Sequence, residues 1–297
     1  MSLDSRGVPT APFSRIDHLV VAVGDLDTAA REYVRLLGRE PSTRGAHPAL
    51  GTRNVIFALP NCYIELLALA TPSPVHPVAL ALSAFLERGP EALFAIALGS
   101  DDLDETARAL DAAGLMVGDP TELEIAEDDG RRRRACLRAL ARDRTRGVNV
   151  FAIAHDRAAI PVAPPYGSPH ATATAVDHIV LFSDDLAGAL TLWRDAFGIP
   201  ERWRREFPQR GTVNVGLRLG GVTIELVAPL GAAAGERGER LWGVAYTVDD
   251  CDAAVARLRA DSIPVSDPRA GLAPATRVAT IKREHGVPTL LIEHTAR

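Results

Sequence analysis

The sequence of 297 residues predicts an α+β fold made of four β-α-β-β-β modules. Three observations predict it: the two halves of the chain repeat each other, each half contains a weaker repeat, and short apolar runs alternate with helical patterns. A repeat decides the topology of the whole chain, so it takes precedence over the assignment of single elements.

The first repeat relates the two halves at an offset of 160 residues (178 − 18). At that offset His18 falls on His178, and the peptides GT-x-N and IEL of the first half fall on the same peptides of the second. Further along, LFAIALGSDDLDETARAL from Leu93 matches LWGVAYTVDDCDAAVARL from Leu241, an offset of 148 (241 − 93). The smaller offset indicates deletions in loops.

Within each half, a short apolar run is followed twice by an acidic helix start. The four starts are Asp25, Asp102, Asp185 and Asp250, whose carboxylates suit the free N–H groups of a first helical turn. The helix after Asp25 has apolar residues at helical spacing and is expected to end at Gly38. The paired runs NVIFALP and CYIELLAL, and VNVGLRL and VTIELVAP, predict hairpins.

These repeats predict two domains, at residues 13–156 and 175–297. The segment 157–174 between them is rich in Pro, Ala and Thr and is expected to be a linker.

Composition narrows the possible partners. A net charge of −5 and a pI near 5.9 argue against nucleic acid or an anionic membrane as partner. The three cysteines show no C-x-x-C spacing, and the sequence has no signal peptide or membrane span. We therefore expect a cytoplasmic protein, monomeric or homodimeric, whose partner is a small molecule.

Four such modules, with a His in a first strand and a Glu in a last strand, resemble the vicinal oxygen chelate superfamily. That superfamily includes glyoxalase I, methylmalonyl-CoA epimerase, extradiol dioxygenases and the bleomycin and fosfomycin resistance proteins. The segment HPALGTRNVIFALPNCYIELLAL resembles its glyoxalase-like branch, here in a tandem two-domain form. The resemblance implies that modules pair into two cupped, incomplete mixed β-barrels with flanking helices, and that first and last strands supply metal ligands.

The repeat alignment shows which of these ligand positions are filled. The first strands hold His18, Ala95, His178 and Gly243, and the last strands hold Glu65, Ala154, Glu225 and Glu293. Pairing in chain order predicts a degenerate N-terminal cup with only His18 and Glu65. The C-terminal cup would hold a divalent ion (Zn, Fe, Mn, Co or Ni) on His178, Glu225 and Glu293.

We therefore expect a metal-assisted lyase or isomerase for a small oxygenated metabolite in the C-terminal cup. Glu225 and Glu293 would act as ligand and base, in an order left open, and Trp242 and Gly243 would line the pocket. The alternative is a binding protein that sequesters its ligand without metal. An extradiol dioxygenase ranks lower, because Gly243 stands where a second His is expected.

Two further expectations concern arrangement. Pairing of the first and third modules would gather His18, Glu65, His178 and Glu225, but consecutive elements usually lie together, so chain-order pairing is expected. Thr52 and Asn54 are expected to bind backbone groups in the turn before the third strand.

Overall fold

The computed structural model describes residues 11–156, 160–231, 238–281 and 286–295. The start of the expected linker (157–159) and the expected boundary at 297 lie outside the described residues. The strands of the first half are β1 (Arg15–Ala22), β2 (Thr43–His47), β3 (Thr52–Leu59), β4 (Cys62–Leu69), β5 (Ala92–Gly99), β6 (Thr121–Glu127), β7 (Arg132–Ala139) and β8 (Asn149–His155). Its helices are α1 (Leu26–Leu37), α2 (Pro77–Arg88) and α3 (Leu103–Ala112).

The second half repeats this order of elements with a shorter central connection. Its strands are β9 (Ala175–Ser183), β10 (Glu201–Phe207), β11 (Thr212–Leu219), β12 (Val222–Pro229), β13 (Glu239–Thr247), β14 (Arg269–Ala270), β15 (Thr276–Ile281) and β16 (Thr289–His294). Its helices are α4 (Leu186–Leu190), continued by a π-helical turn (Thr191–Ala196), and α5 (Cys251–Ala260). The connection between β12 and β13 comprises residues 230–238, whereas the longer connection between β4 and β5 contains α2.

The helices begin where the acidic repeats predicted. Asp25 accepts a hydrogen bond from the amide of Thr28, and Asp250 accepts one from the amide of Ala253. Helix α1 ends at Gly38, whose φ of 68° is in the left-handed region that favours glycine. The N-caps thus satisfy first-turn donors that have no partner within the helix.

The modules pair in chain order within each half. The first half forms a closed barrel in the order β1-β4-β3-β2-β6-β7-β8-β5, and the second forms an open sheet in the order β10-β11-β12-β9-β13-β16-β15-β14. The prediction of an α+β fold with modules paired into two cups is confirmed. The N-terminal cup goes further and closes, because β2 pairs with β6 at Gly45 and Ala46. The first and third modules share no sheet, so their four possible ligands are not gathered.

The convex faces of both sheets and helices α1 and α5 bury one continuous apolar core. Leu19 and Leu66 of the first half and Ile179 and Leu226 of the second belong to the same cluster. The concave face of each sheet is left to form a cup. Over the N-terminal cup, α2 packs Leu82, which is fully buried, against Phe94 and neighbours.

Polar contacts also join the two halves. Arg146 of the first half lies 3.1 Å from Asp185 and also pairs with Glu239 of the second. Trp193, fully buried, donates its indole N–H to Glu239 at 2.6 Å. Asn61 donates to the carbonyl oxygen of Val176 at 2.8 Å. The halves therefore meet through satisfied buried groups as well as apolar packing.

Within the described ranges, no helix has the length and apolar character needed to cross a lipid bilayer.

Candidate functional site

An ionised aspartate at the start of β1 orients His18. Asp17 Oδ1 lies 2.9 Å from His18 Nδ1 and 3.0 Å from His155 Nε2, and Arg15 pairs with Oδ2 at 3.1 Å. Burial raises the pKa of Asp17, but the hydrogen bonds with His155 and His18 outweigh it and hold that pKa well below the usual range. Because this carboxylate accepts hydrogen bonds, His18 donates Nδ1–H to it and directs Nε2 at the barrel interior.

Strand β4 places a tyrosine and a glutamate beside this imidazole. In the parallel register of β1 and β4, His18 lies opposite Tyr63 and Val20 opposite Glu65. The Tyr63 ring stacks on His18 with centroids 4.4 Å apart and planes 13° apart. Burial raises the pKa of Tyr63 well above its usual value, so the phenol stays protonated. Glu65 Oε2 lies 3.5 Å from His18 Nε2.

Strands β2 and β3 add three buried polar side chains to the same face. His47 Nδ1 lies 3.0 Å from Thr52 Oγ1, and the amide nitrogen of Asn54 lies 3.4 Å from His47 Nε2. Asn54 also donates to Glu65 Oε1 at 2.6 Å. Burial lowers the pKa of His47, so its imidazole is neutral. Thr52 and Asn54 thus bind side chains inside the barrel rather than backbone groups of a turn.

Three site residues, His47, Thr52 and Asn54, are not predicted by the repeat, although the sequence carries a signal for them. In a strand, alternate residues share one face, and Thr52 and Asn54 share the face that pairs toward Glu65. The peptide HPALGTRN contains all three residues, but on its own it indicates only the family resemblance and a turn.

A cavity that opens to solvent lies between these groups and the rest of the barrel. The polar side chains named above line one part of it. Arg133 of β7 also lines it, half-buried and ion-paired with buried Glu127. The remaining wall is apolar: Val20, Leu50, Ile56, Leu67, Val78, Phe94, Leu123, Ile125, Ala135, Leu137, Phe151 and Ile153. This mixture of an apolar wall and a few convergent polar groups is typical of small-molecule sites.

The C-terminal cup repeats part of this arrangement in the open sheet. His178 Nδ1 lies 2.6 Å from Asp177 Oδ1, and His178 Nε2 lies 3.5 Å from Glu225 Oε2. Asn214 donates to Glu225 at 2.7 Å. Burial lowers the pKa of His178, but the hydrogen bond to Asp177 and the charge of Glu225 outweigh it, so the pKa is raised. His294 Nε2 meets Asp177 at 2.6 Å, as His155 meets Asp17.

Glu293 lies on the opposite face of β16 from His294. Its carboxylate accepts the amide N–H of Cys251 at 3.0 Å, at the start of α5, and lies 3.6 Å from Arg277. The structure therefore does not bring Glu293 together with His178 and Glu225. By strand register, Leu290 is the residue of β16 that faces the cup next to Ala245, three positions before Glu293.

The remaining expected positions lie as follows. In the second module, Phe151 lines the cavity, whereas Ala95 is buried in the apolar cluster with Val20 and Phe94, and neither Ala95 nor Ala154 is part of the lining. Trp242 is exposed and meets the Phe182 ring edge-on at 5.3 Å. A side chain at Gly243 would lie 2.8 Å from the carbonyl oxygen of Pro288, so backbone fills the space expected there.

The donor groups of either cup do not assemble a metal site. Across the described ranges, no three His, Cys, Asp or Glu side chains are grouped so that they could hold a metal ion. In the N-terminal barrel, His47 Nε2 lies 3.4 Å from the Asn54 amide nitrogen and 3.9 Å from Glu65 Oε1, and Phe151 offers no donor. His18 and Glu65 alone fall short of the usual set of at least three protein ligands.

Comparisons with known proteins agree with this architecture. A family model described as a glyoxalase-like domain matches residues 16–172, and the model of the glyoxalase/bleomycin resistance protein/dioxygenase superfamily matches residues 177–280. The chain belongs to this superfamily, the vicinal oxygen chelate superfamily. The predicted resemblance and its tandem form are confirmed.

Solved structures of similar fold cover nearly the whole chain. A mutant of 4-hydroxymandelate synthase from Streptomyces coelicolor is 17% identical, with a TM-score of 0.68 over 96% of this chain and 94% of that one. A hypothetical protein from Staphylococcus aureus is 14% identical, with a TM-score of 0.64 over 93% and 98%. At such identities these likenesses show the fold alone.

A curated relative matches part of the chain. The ethylmalonyl-CoA/methylmalonyl-CoA epimerase of Cereibacter sphaeroides is 36% identical over 77 residues, which is 26% of this chain. The match spans about half (52%) of that epimerase. The superfamily is therefore established, while the reaction has to be argued from the site.

Proposed function

We propose that the N-terminal barrel binds a small, mainly apolar, oxygenated molecule and moves a proton at its oxygenated end, as an isomerase or lyase does. One observation carries the proposal: the buried groups His18 Nε2 and Glu65 Oε2 face each other at 3.5 Å within the cavity. The sequence favoured the C-terminal cup for this role. The enclosure of the first pair, and the position of Glu293 outside the second cup, favour the N-terminal barrel instead.

The two groups are suited to hold one proton between them. Asp17 accepts the Nδ1–H of His18, and the Asn54 amide donates to Glu65 Oε1. His18 Nε2 and Glu65 Oε2 therefore remain for a ligand. Glu65 accepts a proton from carbon next to a carbonyl group, and the electron pair moves onto the carbonyl oxygen. His18 then shares that proton, with Asp17 stabilising the imidazolium that forms. Return of the proton to carbon completes an isomerisation.

Charge and burial support this chemistry. Glu65 and His18 are buried, so water competes little for the proton. Arg133 places a guanidinium in the same cavity, where it favours negative charge on a substrate oxygen. The apolar walls hold the alkyl or aryl part of the ligand.

No metal ion is required by this proposal, because the side chains described above provide both the base and the stabilising charge. The metal-assisted reaction expected from the sequence uses Glu293 as a ligand, whereas the Glu293 carboxylate binds the Cys251 amide at the start of α5.

The test uses α-hydroxyacetophenone, whose phenyl ring suits the apolar wall and whose CH₂ group lies next to a carbonyl. Exchange of the CH₂ hydrogens in D₂O is followed by proton NMR with the full chain. We expect catalysed exchange, with Glu65→Gln lowering the rate at least about 100-fold, the usual contribution of a general base. The matched control Glu225→Gln is expected to keep the wild-type rate.

Two results would contradict the proposal. Loss of exchange in Glu225→Gln but not in Glu65→Gln would move the reaction to the C-terminal cup. Binding of the ketone without any catalysed exchange would make the barrel a sequestering site, the alternative that the sequence left open.

A further inference from the structure

The two cups differ in what the amide oxygen of their asparagine meets. In the C-terminal cup, Thr212 Oγ1 donates to Asn214 Oδ1 at 3.0 Å. In the N-terminal barrel, Thr52 Oγ1 instead lies 3.0 Å from His47 Nδ1, and Asn54 Oδ1 is buried with no hydrogen-bond partner. An unpaired buried acceptor is costly, so it needs a donor from elsewhere.

His47 is the reason for this difference. The strand registers pair His47 with Thr52 in the first half and Phe207 with Thr212 in the second. Phenylalanine cannot bind a hydroxyl group, so Thr212 is free to turn to its asparagine. Neutral His47 accepts from the Asn54 amide at Nε2 and therefore donates Nδ1–H to Thr52.

The orientation of the Asn54 amide is fixed by Glu65. The carboxylate accepts hydrogen bonds, so the atom 2.6 Å from Oε1 has to be the donating nitrogen. The oxygen then points toward Gly45, which faces Asn54 across the β2–β3 pair. A Cβ at Gly45 would lie 3.4 Å from Oδ1, and the second half has Arg205 at this place in the register. With glycine at this position, no β2 side chain lies between the strand and this buried acceptor.

We propose that Asn54 Oδ1 accepts a hydrogen bond from the ligand, which therefore carries a hydroxyl group close to the carbon presented to Glu65. This inference rests on the proposed function and narrows its ligand class to hydroxylated molecules, such as α-hydroxy ketones. Asn54 lines the cavity and is only 2% exposed, so water has little access to this acceptor.

The experiment compares two probes that differ in one hydroxyl group, α-hydroxyacetophenone and acetophenone, by calorimetric titration of the full chain. Wild-type protein is expected to bind the hydroxylated probe about tenfold more tightly, roughly the effect of one hydrogen bond. His47→Phe copies the C-terminal cup and frees Thr52 to pair with Asn54, so the preference is expected to disappear.

Two further variants separate this explanation from simple damage to the barrel. Thr52→Val alone leaves Asn54 Oδ1 unpaired and is expected to keep the preference. The double variant His47→Phe/Thr52→Val removes the competing hydroxyl and is expected to restore it.

Equal binding of both probes to wild-type protein would overturn the inference and leave the proposed function standing. A preference that survives in His47→Phe would also overturn it. Failure of both probes to bind, or binding without exchange of the CH₂ hydrogens, would instead count against the proposed function.

Discussion

The N-terminal barrel and the C-terminal sheet hold the same polar pair at the same separation but treat it differently. The His–Glu distance is 3.5 Å in both, and the Asn–Glu distances are 2.6 and 2.7 Å. The side chains of His18 and Glu65 are 8% and 10% exposed, whereas His178 and Glu225 are each 17% exposed. The motif therefore sets the geometry, and the surrounding strands set how much water reaches it.

Closure of the first sheet and the packing of α2 over it produce this difference in exposure. The pairing of β2 with β6 closes the first sheet, whereas β10 and β14 remain unpaired edges of the second. Helix α2 packs on the N-terminal barrel from the long β4–β5 connection, and the corresponding segment 230–238 is short. In the described residues, the first His–Glu pair is therefore less exposed to solvent than the second.

The largest expected effect is on the free energy of unfolding, and it compares Asp17 with Asp177, the aspartates beside the two histidines. Asp17→Asn removes a buried charge that holds Arg15, His18 and His155, so we expect the free energy of unfolding to fall by about 3 kcal/mol. Asp177→Asn, in the more open cup, is expected to cost about 1 kcal/mol. Urea denaturation measures both, and equal losses would show that enclosure does not distinguish the cups.

A smaller effect is a pH dependence of opposite sign in the two cups. The raised pKa of His178 contributes stability that is complete below the unfolded value of about 6.5 and is lost as pH rises through the folded pKa. The lowered pKa of His47 does the reverse: only the unfolded chain takes up this proton just below pH of about 6.5, so stability falls on acidification.

Unfolding measured at pH values on either side of the histidine range tests this. His178→Gln is expected to cost more at acidic than at alkaline pH, and His47→Phe is expected to cost more at alkaline than at acidic pH. The same trend in both variants would contradict the difference in environment inferred for the two imidazoles.

The smallest expected effect is that of metal removal. Because no three donor side chains in the described part of the chain are grouped to hold a metal ion, protein purified without chelator is expected to contain substoichiometric divalent metal. Dialysis against a chelator is expected to leave the melting temperature and the exchange of CH₂ hydrogens unchanged. Stoichiometric metal that is lost in Glu225→Gln but kept in Glu65→Gln would restore the metal-bearing C-terminal cup predicted from the sequence.

The fold was predictable because its information is local and repeated. Helix-capping residues such as Asp25 and paired runs such as NVIFALP and CYIELLAL specify a module, and the repeat supplies the number of modules. The pairs His18–Glu65 and His178–Glu225 follow from the same repeat, and both are close in the structure.

The rest of the site depended on register and on differences between the halves. Glu293 was aligned with a ligand position, but β16 turns that residue toward α5 and presents Leu290 to the cup. His47 has no histidine counterpart, since Phe207 takes its place, and reasoning from a repeat gives weight only to what both copies share. Closure of one sheet depends on pairing between distant strands, which no local pattern specifies.

The continuous core restricts which residues of the C-terminal half can be substituted. Residues such as Leu19 and Ile179 belong to one apolar cluster, and Asn61 and Arg146 satisfy groups across the junction. The C-terminal half thus supports the N-terminal barrel through this shared core, independently of any ligand in its own cup. Side chains on the concave face of the C-terminal sheet can therefore be replaced without disturbing the shared core, whereas those on its convex face cannot.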